Sequence, residues 1–267
     1  MVQSPVSEII ENSPGAEIHQ ELSSIQISLK IQEDNYSELV DLHMKYQNYS
    51  IQEWQEKDIF EVIKSEYFRP FHNYVASIYT VTKHSQRIVN NYGDDSFYEE
   101  YTNEIFERDL HKHGEFLRQL RHYTQKRKVP PLATHFEFEN TSEVDFQLET
   151  VKNKLLEWSG WNSDAKKYLK ELDEQVPLLD IIKRYQRESE KFNDWFLKYS
   201  QYYFSEELND LLERVIIADK MKKFLPDPTT KKQQKPTLHG YRTEESVTFP
   251  SIPKKYIHPY EKTDILI

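Results

Sequence analysis

Cysteine is absent from this chain of 267 residues, and with it go disulfide scaffolds, thiolate nucleophiles and every cysteine-ligated zinc or iron–sulfur site. Glycine is nearly as scarce. The five residues form no phosphate-cradling cluster, so the glycine fingerprints of nucleotide folds are missing, and there is no Gly-x-Ser-x-Gly elbow to strain a serine nucleophile. No apolar run approaches the length needed to span a bilayer, and the N-terminal residues lack the basic-then-apolar order of a secretory signal. The expectation is a soluble cytoplasmic protein with no membrane contact.

Aromatic residues offset a modest aliphatic content: 18 Tyr, 14 Phe and 4 Trp give a chain of this length enough apolar surface for a sizeable core. The 35 Lys and Arg against 45 Asp and Glu leave a net charge of -10. A chain this acidic repels a phosphate backbone on average, so a polyanion can be met only by a local basic patch.

With so few breakers, long stretches carry helical periodicity. In 17–46 the apolar positions Ile18, Leu22, Ile25, Leu29, Leu39, Leu42 and Tyr46 recur mostly at threes and fours, with an interruption allowed near Asp34 and Asn35. A second stripe runs from Ile59 to Ile88 and ends at Asn90, Asn91 and Gly93; Pro70 predicts a kink or a division. A third helix is predicted from Ser96, whose spacing to Glu99 suits a capping box, to about Lys128, before Pro130 and Pro131.

Beyond them, Phe136 and Phe138, then Val144, Phe146 and Leu148, alternate as in strands, and a hairpin over about 134–148 turning at 140–143 is the preferred reading. The other reading starts a helix within the second segment. Asn162 or Ser163 caps a short helix, and a last long one runs from Leu178 to Leu225, broken around Ser205. The fold class is therefore all-α: an elongated helical bundle of four to six helices with a small β-hairpin insertion, occupying residues 1–225. Residues 226–267 hold six of the 12 Pro and seven basic residues against five acidic. They read as a Pro-rich, extended or disordered C-terminal tail, with a polyproline clamp onto a groove as the alternative.

Glu107, His111 and Glu115 recur at spacings of four on the third helix, a carboxylate–imidazole–carboxylate row. A di-iron bundle also needs Glu-x-x-His steps, and the chain has none. Solvated helical pairs are the expectation, with no metal and no cofactor. Counting about 100° per residue from Phe106 puts His113 in the middle of the apolar stripe, as a core histidine, and Arg121 on the stripe's border.

The segment RQLRHYTQKRK carries five positive charges and no negative ones at a helix end. Capping and pairing with Glu explain such an end without any ligand. Arginine and tyrosine can also hold a phosphate and stack a base, the usual grip on single-stranded RNA. The candidate nucleic-acid-binding residues are Arg118, Arg121, Tyr123, Lys126, Arg127 and Lys128.

At these residues the chain resembles a known family. FLRQLRHYTQKRKVP, from Phe116, is similar to the central helix of HEPN-domain proteins, especially helical bacterial members with a Leu-Arg-Asn-Tyr stretch before a His and a Pro. LLDIIKRYQRESEKFNDWF, ending in Trp195 and Phe196, adds to the likeness. Active members are metal-independent ribonucleases with an Arg, four to six residues and a His, and two such helices meet across a dimer interface. The resemblance implies a homodimer through the third helix, with the family Arg at Arg121, the polar residue after it at His122, and Lys126 where the family has its His. Lysine holds a phosphate but is a poor proton shuttle at neutral pH. Arg108 and His113 also fit the bare pattern, but on a continuous helix they fall on opposite sides.

Two functions follow as expectations. The first is a non-catalytic helical interaction protein that binds RNA or a protein partner through the basic end of the third helix. The alternative is a metal-independent HEPN-type endoribonuclease of a toxin or defence system, using Arg121, His122 and Lys126 as its catalytic set.

Overall fold

In a computed structural model of the chain, the structure describes residues 10–126, 132–138 and 144–224. Helix α1 (Pro14–Gln47) and helix α3 (Ile59–Tyr92), joined through the short α2 (Ile51–Trp54), are 34 residues each. They pair antiparallel: His43 Nδ1 lies 2.9 Å from the Tyr67 hydroxyl, while Glu21 near the other end of α1 pairs with Arg87 at 2.6 Å. α1 runs unbroken through Asp34 and Asn35, and α3 runs undivided through Pro70. The proline costs a helix interior about 3 kcal/mol. Tyr67, Phe71 and Tyr74 around it are all buried, and burial of each such side chain stabilises by about 1.5–3 kcal/mol. Packing outweighs the break.

The third predicted helix is two helices. α4 (Asp95–Glu107) is capped by Asp94, whose Oδ1 accepts from the Phe97 N–H at 3.0 Å and from the Ser96 hydroxyl at 2.7 Å. The cap therefore precedes the predicted Ser96–Glu99 box. α4 ends at Arg108, and Asp109 takes the left-handed conformation, φ 53°, before α5 (Leu110–Lys126) begins. Aspartate is one of the few L-residues to visit that region readily. The four-residue step from Phe106 to Leu110 hides the break in the sequence, yet Phe106 is 56% exposed and marks no core stripe.

Strands β1 (Leu132–Phe138) and β2 (Val144–Val151) form the antiparallel hairpin, with Phe138 opposite Val144 and Leu132 opposite Thr150. Its turn, 139–143, lies outside the described residues. After α6 (Lys152–Leu156) and α7 (Ser163–Glu171), whose N-cap Asn162 accepts from the Ala165 N–H at 2.9 Å, an unpredicted strand β3 (Gln175–Pro177) pairs antiparallel with β2 and makes the sheet three-stranded. α8 (Leu178–Tyr203) and α9 (Ser205–Phe224) follow, separated at Phe204. The fold is all-α with a small β-hairpin, but the expected four to six helices are corrected to nine among the described residues. The excess comes from the left-handed Asp109, which divides one predicted helix, and from short α2 and α6, which are too brief to show an apolar rhythm; α7 is the short helix expected after Asn162. The predicted tail, 226–267, lies outside the described residues. Among those residues, no helix is long and apolar enough to cross a membrane.

Aromatic packing dominates the core. Phe97 meets Phe196, Tyr199, Tyr203 and Phe204 at centroid distances of 4.7 to 6.1 Å. Between α1, α3 and α8 lies a buried polar knot: the Gln186 carbonyl accepts from Gln32 at 3.0 Å and from the Tyr74 hydroxyl at 2.9 Å, while its amide donates to Glu190 at 2.9 Å.

Candidate functional site

Helix α5 packs on α3, α4, α7 and α8, so its basic residues emerge between other elements. It runs antiparallel to α3: His72 Nδ1 is 3.3 Å from the Thr124 hydroxyl near one end, and Ser85 and Leu110 line a common cleft near the other. This pairing puts Arg121 over Tyr79. The guanidinium carbon lies 4.2 Å from the ring centroid, and Nε is buried without a hydrogen-bond partner. Among the described residues no carboxylate pairs with Arg121. An arginine stacked on an aromatic face keeps its outward donors for an anion.

His122 is half-buried and Lys126 exposed on the following turn. Burial, then the charges of Arg121, Lys126 and Arg118, push the His122 imidazole below its ordinary value, which favours the neutral ring. Those three cations act on one ring, and the C-terminal half of α5 thus carries a concentrated positive field despite the acidic chain.

Arg118 and Tyr123 are placed differently. Arg118 pairs with Glu115 on its own helix and lines the cleft between α3, α4, α5, α7 and α8. Tyr123, expected to stack a base, is fully buried: its ring lies edge-on to Trp158 at 5.4 Å and stacks with Trp161 at 6.0 Å. It belongs to the core, where apolar burial claims an aromatic that sequence alone placed beside the cations. Arg127 and Lys128 lie outside the described residues.

The break at Asp109 also separates Glu107 on α4 from His111 and Glu115 on α5. Glu115 accepts from Gln119 at 3.2 Å and from Asn162 as well as from Arg118. No group of three His, Asp or Glu side chains gathers to hold a metal ion among the described residues. The continuous-helix geometry set between Arg108 and His113 does not apply either. Arg108 is tied to Glu104 at 2.5 Å, and His113 is half-buried against Tyr168, its Nδ1 3.3 Å from the Asp109 carbonyl. Sequence reasoning missed Tyr79, because a partner so far away in the chain leaves no local signal.

No protein-family model matches the chain, and neither a curated protein nor a solved structure matches it significantly.

Proposed function

We propose that this chain is a non-catalytic helical binding protein that takes a strand of RNA on the C-terminal half of α5. The observation carrying the reading is Arg121, a cation held by an aromatic ring, with no carboxylate partner among the described residues. Arg121 and Lys126 meet phosphates, and Arg127 and Lys128, next in sequence, extend the charge. The test is fluorescence anisotropy of a labelled single-stranded oligouridine. Arg121→Glu is expected to abolish binding, and wild-type affinity falls steeply with salt as phosphate contacts are screened. Unchanged affinity in Arg121→Glu overturns the proposal, and retention of a protein partner without RNA affinity moves the face to protein recognition.

The second reading is the HEPN-like endoribonuclease, and a His122 next to Arg121 whose neutral form is favoured by burial and neighbouring cations supports it. His122 would take the ribose 2′-hydroxyl proton as the 2′-oxygen bonds to phosphorus, and the P–O5′ bond would break with the 5′-oxygen protonated by water. Arg121 would stabilise the charge developing on the phosphodiester, and Lys126 would hold the strand. This reading includes pairing of two copies at the exposed end of α5, which would bring two Arg121 to one cleft. Cleavage of RNA in EDTA with cyclic phosphate ends, lost in both Arg121→Ala and His122→Ala, would establish it. Sedimentation of a strict monomer at micromolar concentration removes the composite site.

A further inference from the structure

One turn before Arg121, α5 borders a cleft of about 450 Å³ enclosed with α3, α4, α7 and α8, a volume typical of a small-molecule pocket. Its floor is aromatic: Tyr101, Tyr185 and Phe192 line it and are themselves more than nine-tenths buried. Tyr185 is locked there, with Gly114 allowing α5 to come close: a Cβ at that position would lie 3.1 Å from the Tyr185 ring. At the rim, Phe106 is 56% exposed and its ring tilts against His111 at 4.6 Å. An apolar ring left this open beside an aromatic floor has a face that a planar ligand would cover.

Polar groups also line the cleft, and several are satisfied within the protein: the Thr82 and Ser85 hydroxyls donate to the Ile78 and Val81 carbonyls, Asn193 donates to the Ser189 hydroxyl, and Gln86 accepts from Lys83. Arg118 is the least exposed of the cleft's cations; Lys112 and Lys167 are exposed, as are the acids Asp164 and Glu171 that offset them. Glu115 is fully engaged by Arg118, Gln119 and Asn162, so its part is to hold the guanidinium in place. One terminal nitrogen of Arg118 is used in that pair. Among the described residues the others have no partner, and they suit an anionic oxygen. His111 Nδ1, also at the cleft, is buried with no hydrogen-bond partner.

We propose that this cleft binds a small aromatic acid, a planar ring carrying one anionic group: the ring lies on Tyr101, Tyr185 and Phe192 under Phe106, and the anion meets Arg118. The proposal is independent of the RNA-binding reading, since Arg121 lies over Tyr79 and does not line the cleft.

The test is calorimetric titration of the full chain with 2-naphthoate, with the neutral 2-naphthamide and the non-aromatic cyclohexanecarboxylate as comparisons. One saturable site per chain is expected, with a dissociation constant of about 0.1 mM. Both comparison compounds should bind about tenfold more weakly, as should 2-naphthoate to Arg118→Gln. Ile105→Trp fills the cleft and should abolish uptake, while Arg121→Gln leaves it unchanged. Should Ile105→Trp fail to fold by circular dichroism, Phe106→Ala, at an exposed ring, replaces it and should weaken binding about threefold. Absence of saturable binding by the wild type overturns the proposal. So does equal affinity for acid and amide, or wild-type affinity in Arg118→Gln.

Discussion

Arg121 of α5 rests 4.2 Å above the ring of Tyr79 on α3, and this contact joins the basic end of one helix to the middle of another. Such a pair contributes about 0.5–2 kcal/mol according to its exposure. Its larger consequence is orientation, because a guanidinium lying on a ring points its free donors along a fixed plane.

Removing the platform should therefore cost affinity without removing charge. Tyr79→Leu is expected to weaken oligouridine binding about threefold to tenfold, and Tyr79→Phe to leave it within about twofold. Anisotropy titrations at one salt concentration measure both. Equal loss in the two variants would place the effect in the hydroxyl instead of the ring face.

Lys126→His restores an imidazole where the resembled family has its histidine. On the non-catalytic reading, this variant binds RNA and does not cut it. Appearance of EDTA-resistant cleavage with cyclic phosphate ends in an electrophoretic assay would instead indicate a competent cleft that lacks only its proton carrier.

In the core, Gln186→Leu removes the acceptor shared by Gln32 and Tyr74, both buried. Stranding two donors should destabilise the chain by about 2–4 kcal/mol, against about 1 kcal/mol for Tyr74→Phe, which deletes one donor. Urea unfolding resolves the difference. Near-equal losses would mean that Gln32 finds another partner.

Acid sensitivity should begin at the start of α4. The Phe97 N–H, then the Ser96 and Tyr203 hydroxyls, hold the Asp94 carboxyl down at about 2, below its unfolded value of about 3.9. A carboxyl depressed in the folded state contributes stability above the unfolded pKa and loses it as pH falls toward the folded one. Wild-type melting temperature should thus drop more steeply from about pH 4 to about pH 2 than that of Asp94→Asn, which has no charge to lose.

Histidine 113 predicts a second window. Burial is the main cause of its lowered pKa, so the unfolded chain takes up the proton first as pH falls below about 6.5. Stability contributed by the neutral ring is complete above that value and declines below it. Urea midpoints measured from about pH 7.5 to about pH 5 should fall more for the wild type than for His113→Gln.

What the sequence determined by itself was the helical character and the buried stripes of the first two long helices. Stripes at threes and fours placed Ile18, Leu22, Ile25, Leu39, Tyr46, Ile59 and Ile88 inside, where all seven are buried, because helical periodicity is a local property and apolar side chains leave water wherever a face is available. The alternation around Phe136 and Val144 likewise marked the hairpin. Tertiary structure alone decided the rest. The left-handed Asp109 divides a helix whose apolar rhythm runs on across the break; β3 is too short to announce itself and exists by pairing with β2. Tyr123 and Arg121, two residues apart in one basic run, part company as Tyr123 packs on Trp158 and Trp161 while Arg121 reaches Tyr79. Their fates depend on partners from distant segments, and contact between distant segments is set by how helices pack, which no local spacing encodes.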